Sequence, residues 1–365
     1  MKILHVLYSG LGGHANVFFS MIDADTNHEF NYDALFNGIE EVRKEYLQKC
    51  AEYKFEHFYV AKKPGIDLNY YKNIYRIIKN SNAEIIFLHS SSYIFPAKLA
   101  ALFSRQKKKI IVRETHANHL KTFMNKVWLC VALLVADQIV FLSEEYKTEV
   151  VKHFALFCNR KKLNVIPNGI DLSLFKPSTK IASHQIIIGM QSRIVKIKDH
   201  LTLLKAFALL KKEEASNDII FKLKIAGDGD YVNKLKNFAI ELQISNDVEF
   251  TGILPQKDIS VFLQNLDIYV HASFGETMST AIMQGMATGL PIVASDVPGI
   301  NNMIENEYSG LLVPVENANA LAKAIKRIST NTILAETLAA NALKTATGRY
   351  SNQTMFQRYK ILFNS

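Results

Sequence analysis

The stretch GETMSTAIMQGMATGLPIVASDVPG (275–299) sets a carboxylate, Glu276, just ahead of a helical pattern and an amide, Gln284, eight residues further on. Ser279 or Thr280 can cap that helix, and its first backbone N–H groups and positive dipole end favour a bound anion such as phosphate. A carboxylate beside a phosphate is repelled by it. Glu276 therefore reads as an acceptor for neutral hydroxyls lying next to the phosphate, as on a sugar. The plainer reading is a capping carboxylate at a helix start. Gln284 lies about two turns along, roughly 12 Å by helix rise, which is the scale of a nucleotide-diphosphate sugar and too far for two groups sharing one proton.

Upstream, MQSRIVKIKDHLTLLKAF places Arg193 and Lys198 between a strand-like run and an amphipathic segment. Two cations in such a loop can neutralise a diphosphate, Arg through its planar fork and Lys as a point charge; ordinary surface cations are the alternative. Near the N-terminus, SGLGGHANVF carries Gly10, Gly12 and Gly13, which permit a ligand to approach the backbone closely or simply make a tight turn. The run lacks the third glycine of the dinucleotide fingerprint, and no acidic strand end follows about 20 residues later.

The elements that must hold these residues alternate. KILHVLY, EIIFLHS, KIIVRET, QIVFLS and LNVIPN are strand-length apolar runs separated by amphipathic segments, and a second series runs from IIIGMQSR through FKLKIAGDGD, VEFTGIL, DIYVHASF and LPIVASD to GLLVPV. Repeated β-α-β predicts mainly parallel sheets covered by helices, with ligands where strand C-termini meet helix N-termini. Pro167 to Gln185 reads as a connector. The expected organisation is two Rossmann-like domains facing across a cleft: residues 1–170 for the acceptor and 181–349 for the nucleotide sugar, with a C-terminal helix at about 350–365 packing back on the first.

A chain of 365 residues, 48% hydrophobic and 21% charged, is globular and suits two domains. Its longest uncharged apolar run, Val127 to Ala136, falls short of the roughly 20 residues a spanning helix needs. Cys50, Cys130 and Cys158 are odd in number and show no metal-binding spacing, so a reducing cytoplasm fits. No Asp-x-Asp or His cluster suggests a metal. The net charge of +9 is concentrated in residues 1–180, where 25 Lys and Arg face 17 Asp and Glu. Such a basic half could attract an anionic membrane surface or a polyanionic acceptor. Nucleic acid is not expected, since no nucleic-acid-binding motif accompanies the charge.

Together these motifs resemble GT-B glycosyltransferases of the retaining glycosyltransferase family 4. The resemblance rests on Glu276-x7-Gln284 followed by GMATGLPIVASDVPG, on Gly12-Gly13, and on VIPNGIDLSLF (165–175), SRIVKIKD (192–199), IAGDGD (225–230), VEFTGIL (248–254) and GLLVP (310–314), in that order over nearly the whole chain. It implies that Arg193 and Lys198 bind the donor diphosphate and neutralise the leaving group. By the same likeness Glu276 binds a donor-sugar hydroxyl and the backbone from Thr277 through Met278 and Ser279 to Thr280 meets sugar and phosphate. Gly12 and Gly13 approach the donor, and His116 lies near the sugar, ahead of His119 and His89 as the candidate histidine. Family members usually carry Glu at the place of Gln284, where it accepts from ribose hydroxyls; an amide does so without charge assistance, which predicts weaker ribose binding.

The expected activity is transfer of a hexosyl or N-acetylhexosaminyl group, with retention, from a nucleotide-diphosphate sugar to a hydroxyl of a glycan or lipid-linked acceptor in bacterial cell-surface polysaccharide synthesis. It needs no cofactor, because the nucleotide sugar is a substrate. The location expected is cytoplasmic, with peripheral contact at the inner face of the membrane. The alternatives are a noncatalytic relative that binds membranes or nucleotide sugars, a nicotinamide oxidoreductase and a sugar epimerase of the same fold.

Overall fold

Runs of Ile, Val and Leu become strands here because helices cover both faces of each sheet, so no solvent-facing polar alternation is needed. A computed structural model describes residues 1–10, 12–65, 67–116, 118, 121–178, 185–213 and 219–365. Its chain divides into two units, Met1–Gly169 with Asn352–Ser365, and Ile170–Ser351.

In the first unit, β1 (Lys2–Tyr8), β2 (Asn31–Gly38), β3 (His57–Ala61), β4 (Ile85–Leu88), β5 (Lys109–Arg113), β6 (Gln138–Phe141) and β7 (Leu163–Val165) lie in the order β3-β2-β1-β4-β5-β6-β7. All their pairings are parallel. The helices are α1 (Gly13–Ala24), α2 (Lys44–Glu52), α3 (Leu68–Asn80), α4 (Ile94–Leu102), α5 (Phe123–Val135) and α6 (Glu144–His153). Alternation along β1 sends Ile3 and Leu7 into one core and Leu4 and Val6 into the other.

In the second unit, β8 (Gln185–Gln191), β9 (Ile220–Ala226), β10 (Val248–Gly252), β11 (Ile268–His271), β12 (Ile292–Ser295) and β13 (Leu311–Val313) lie in the order β10-β9-β8-β11-β12-β13, again parallel. Its helices are α7 (His200–Glu213), α8 (Val232–Glu241), α9 (Gln256–Gln264), α10 (Thr280–Ala287), α11 (Ala318–Ser329) and α12 (Thr332–Arg349). The last helix, α13 (Asn352–Asn364), belongs to the first unit, where Met355, Phe356, Tyr359, Leu362 and Phe363 join the core that holds Ile3 and Phe18.

The change of unit falls at Gly169/Ile170, inside the stretch Pro167 to Gln185 read as a connector and ahead of residue 181, where the second domain was expected to begin. Ile170 bridges to Ser351, the Leu174 carbonyl accepts from the Ser260 hydroxyl, and the Lys176 carbonyl accepts from Gln264. Residues 170–176 are therefore tied to the second unit by backbone groups that no side-chain pattern reveals.

In each sheet the strand order reverses once, between β1 and β4 and between β8 and β11. Ligands of open parallel sheets bind outside the carboxyl ends of strands at such a switch point. The Gly12-Gly13 loop follows β1, the Arg193–Lys198 loop follows β8, and the Glu276 loop follows β11. Among the described residues, no helix is long and apolar enough to cross a membrane.

Four buried histidines, His5, His89, His200 and His271, are kept neutral chiefly by burial; His5 and His200 are brought down to about 3 from 6.5. A histidine whose pKa is lowered on folding takes up its proton in the unfolded chain first. Stability therefore falls as pH drops below 6.5, by up to about 1.4 kcal/mol per pH unit toward pH 3 for each of His5 and His200, with His89 and His271 acting in the same direction. Urea midpoints measured from pH 7.5 to 4.5 are expected to decline steadily; a flat profile would contradict the buried neutral state.

Candidate functional site

Two loops of the second unit are laced together by the backbone. After β11, the Phe274 N–H donates to the Ile197 carbonyl at 2.9 Å and the Ser273 hydroxyl to the same carbonyl at 3.1 Å. This pins the Glu276 loop to the Lys198 loop. Beneath it, Gly299 has φ +86°, and a Cβ there would strike the Glu276 carbonyl, so only glycine lets the two backbones pass. Gly227 in IAGDGD has φ +137° and meets the Ser192 carbonyl in the same way. Ser279 caps α10, accepting from the Ile282 N–H. Thr277 and Met278 precede that cap, Thr280 opens the helix, and Met278 is buried.

The result is a three-residue charge cluster. Glu276 Oε1 is ion-paired with the Lys198 ammonium and accepts from His271 Nε2 at 2.7 Å. The side chain of Glu276 is only 13% exposed. Burial alone would lift its carboxyl, but Lys198 and His271 outweigh burial and bring it down to about 2 from 4.5. His271 is held below 6.5 by burial against the upward pull of Glu276, so it is a neutral imidazole. A neutral ring that donates from Nε2 must accept at Nδ1, and the Tyr269 hydroxyl lies 3.2 Å from that atom. Tyr269 and His271 can share this network because they are two apart on β11 and so on one face of the strand.

Sequence reading assigned Lys198 and Glu276 to different parts of a ligand; the fold joins them. Arg193, on the same loop as Lys198, is exposed and makes no ion pair with Glu276. His271 was missed, although HASFGE places it at a strand end just before the Glu276 loop, which was a usable signal. The N-terminus of α10, Arg193 and a carboxylate with its own counter-ion can receive a phosphate and adjoining hydroxyls without setting Glu276 against the anion.

Gln284 is buried on α10, and its Oε1 accepts from Gln191 Nε2 at the end of β8. The spacing expected from continuous helix does not hold, because α10 begins only at Thr280. Only residues 280–284 contribute helix rise, about 6 Å. A carboxylate at 284 would retain the bond from Gln191 and gain charge assistance toward a hydroxyl. Gln284→Glu is accordingly expected to tighten nucleotide binding up to about tenfold, or about 1.4 kcal/mol, as measured by titration calorimetry.

In the first unit, Gly12 is the extended N-cap of α1 and Gly13 its first residue. A Cβ at either would meet nothing within 4 Å among the described residues. The fold itself does not demand glycine there, which leaves open space over the loop. His14 follows, with Nε2 3.0 Å from Thr115 Oγ1. His116 is 45% exposed in its side chain, and its backbone is held: its N–H donates to Glu114 Oε1 at 3.1 Å, and its carbonyl accepts from Lys121 and from the Tyr146 hydroxyl. Glu114 and Lys121 are both buried and lie 3.4 Å apart. His89 is buried, with Nε2 3.0 Å from His5 Nδ1, so it faces the core. His119 lies outside the described residues. Among the described residues, no group of three His, Cys, Asp or Glu side chains gathers where a metal could sit.

Residues 12–174 match the family described as Glycosyltransferase Family 4, and residues 173–345 match Glycosyl transferases group 1. The chain is 25% identical over 280 residues to the UDP-Gal:alpha-D-GlcNAc-diphosphoundecaprenol alpha-1,3-galactosyltransferase of Escherichia coli, covering 72% of this chain and 70% of that one. It is 30% identical over 236 residues to the alpha-monoglucosyldiacylglycerol synthase of Streptococcus pneumoniae, covering 60% of this chain and 49% of that one. HepE of Anabaena, solved in complex with UDP and glucose, superposes with a TM-score of 0.82 over the full length of both chains at 20% identity, a likeness of fold. With two parallel-sheet units of the matching topology, the chain belongs to the GT-B fold glycosyltransferases of family 4.

Proposed function

We propose that the protein transfers a sugar with retention from a nucleotide-diphosphate sugar, with a uridine nucleotide the first to test, to a hydroxyl of a glycan or lipid-linked acceptor in cell-surface polysaccharide synthesis. The observation that carries this reading is the part-buried Glu276–Lys198–His271 cluster beside the capped N-terminus of α10. In this reading the N-terminal amides of α10 and Arg193 hold the diphosphate, and Glu276 accepts from a donor-sugar hydroxyl while Lys198 turns toward the developing phosphate charge. Gln284 contacts the ribose. The departing phosphate takes the proton of the acceptor hydroxyl on the same face of the sugar, which requires no covalent nucleophile, cofactor or metal.

The uridine nucleotide is supported by the UDP-Gal in the name of the Escherichia coli relative and by the UDP bound to HepE. A lipid-linked acceptor is supported by the diphosphoundecaprenol and diacylglycerol in the names of the two relatives.

The test is thermal unfolding against UDP, GDP, ADP and their sugars. A ligand at 100 times its dissociation constant stabilises the native state by roughly 2.7 kcal/mol. A shift selective for one nucleotide is expected, and Arg193→Ala is expected to weaken that nucleotide about tenfold, the cost of one charge-assisted contact. No shift with any nucleotide would overturn the reading and favour a noncatalytic relative.

A further inference from the structure

Helix α4 sends Ile94, Ala97 and Ala100 into the core, yet Phe95, Leu99 and Leu102 stand exposed at i, i+4 and i+7, followed by exposed Phe103. That is a second apolar stripe, on the outer face of the helix. Helix α5 repeats the pattern, burying Leu129, Ala132 and Leu133 while Phe123 is 80% and Met124 53% exposed. The two helices pack together, and the ring of Phe95 lies 6.4 Å from that of Trp128, so the stripes meet in one surface. Contiguous exposed apolar surface of this kind marks an interaction site.

The charges select the partner. Between residues 94 and 137 the acidic side chains are Glu114, which is buried, and Asp137, which is exposed past the end of α5 and accepts from the Ile110 N–H. The exposed or half-buried charged groups on and just after these helices are Lys98, Arg105, Lys107, Lys109 and Lys126, with Asp137 past the C-terminal end of α5. A second copy of the chain docked on the same face would set cations against cations. An apolar stripe flanked by five cations and one exposed carboxylate suits a lipid surface with anionic headgroups, where the aromatic and aliphatic side chains enter the acyl boundary and Lys and Arg meet phosphate.

We infer that the outer face of α4 and α5 docks on an anionic lipid surface. The N-terminal ends of both helices lie toward the carboxyl ends of the strands, where the His116 loop follows β5, so docking would bring that end of the sheet to the membrane, where a lipid-linked acceptor is presented. The inference deepens the acceptor reading above and rests on it.

Co-sedimentation with phosphatidylcholine vesicles, with and without phosphatidylglycerol and at low and high salt, tests it in the full chain. Wild type is expected to bind the anionic vesicles at least about tenfold more tightly than the neutral ones, and to release as salt rises. The pairs Leu102→Ser with Phe103→Ser and Phe123→Ser with Met124→Ser, and the charge reversal Lys98→Glu with Lys126→Glu, are each expected to weaken binding about tenfold or more. Equal affinity for both vesicles, no binding, or unchanged binding by all three variants would overturn the inference. So would a wild-type dimer that the serine pairs dissociate. The nucleotide-induced thermal shift, recorded on the same samples, reports folding and the donor site separately. A shift without vesicle binding removes the surface alone, whereas vesicle binding without a shift removes the donor reading alone.

Discussion

Glu276→Gln is expected to lower kcat/KM about 10²- to 10³-fold, the cost typical of removing one preorganised electrostatic contact to a transition state, while leaving the thermal shift with the nucleotide diphosphate nearly unchanged. The substitution keeps the size of the side chain and an oxygen for His271. It removes the charge that makes hydrogen bonds from sugar hydroxyls short and strong. It also frees the Lys198 ammonium, which in the native site is paired with this carboxylate. Nucleotide contacts assigned to Arg193 and α10 are untouched, so binding of the diphosphate should survive and turnover should not. Steady-state kinetics beside a thermal titration separates the two effects. Unimpaired turnover would reduce Glu276 to a structural partner of Lys198.

Lys198→Ala is expected to cost roughly 2–4 kcal/mol of stability at neutral pH, somewhat less than a fully buried pair, and to remove about 10²-fold or more of the turnover. The carboxylate would keep only the neutral His271 as a close partner in a site that disfavours charge. In the native protein Glu276 titrates near 2, below its ordinary 4.5. Its stabilising contribution is therefore complete above pH 4.5 and disappears as pH falls toward 2. Without the ammonium, burial becomes the leading influence and the carboxyl moves upward. The acid limb of the pH–rate profile should then shift to higher pH, which a loss of packing alone would not produce. Denaturant midpoints at neutral pH and a pH profile of kcat/KM measure both parts.

The candidate site was legible in part. Arg193, Lys198, Glu276 and Ser279 stand in strand-to-helix loops, and loop residues flanked by clear strand and helix patterns can be placed without a structure. What remained out of reach was their pairing. Lys198 and Glu276 are 78 residues apart, and two opposite charges at such separation announce no contact. The union of their loops depends on backbone bonds from Phe274 and Ser273 to Ile197, and backbone groups carry no residue code. The partner of Gln284, Gln191, was hidden for the same reason, since an amide at a strand end reads as an ordinary polar residue. In the first unit, Glu114, Lys121 and Tyr146 hold the His116 backbone. As a carboxylate, a cation and an aromatic scattered over a loop and a helix, they had no local pattern to expose them.

By itself the sequence determined the alternation of strand and helix, the two-unit architecture and the position of each functional loop. Those features follow from local periodicity and from the rule that parallel strands need covering helices. Only the tertiary structure decided that Glu276 is ion-paired and that His271 is neutral and oriented by Tyr269. Each of these depends on which distant groups are excluded from water together, and burial, which sets both the charge state and the strength of every such pair, is a property of the assembled fold.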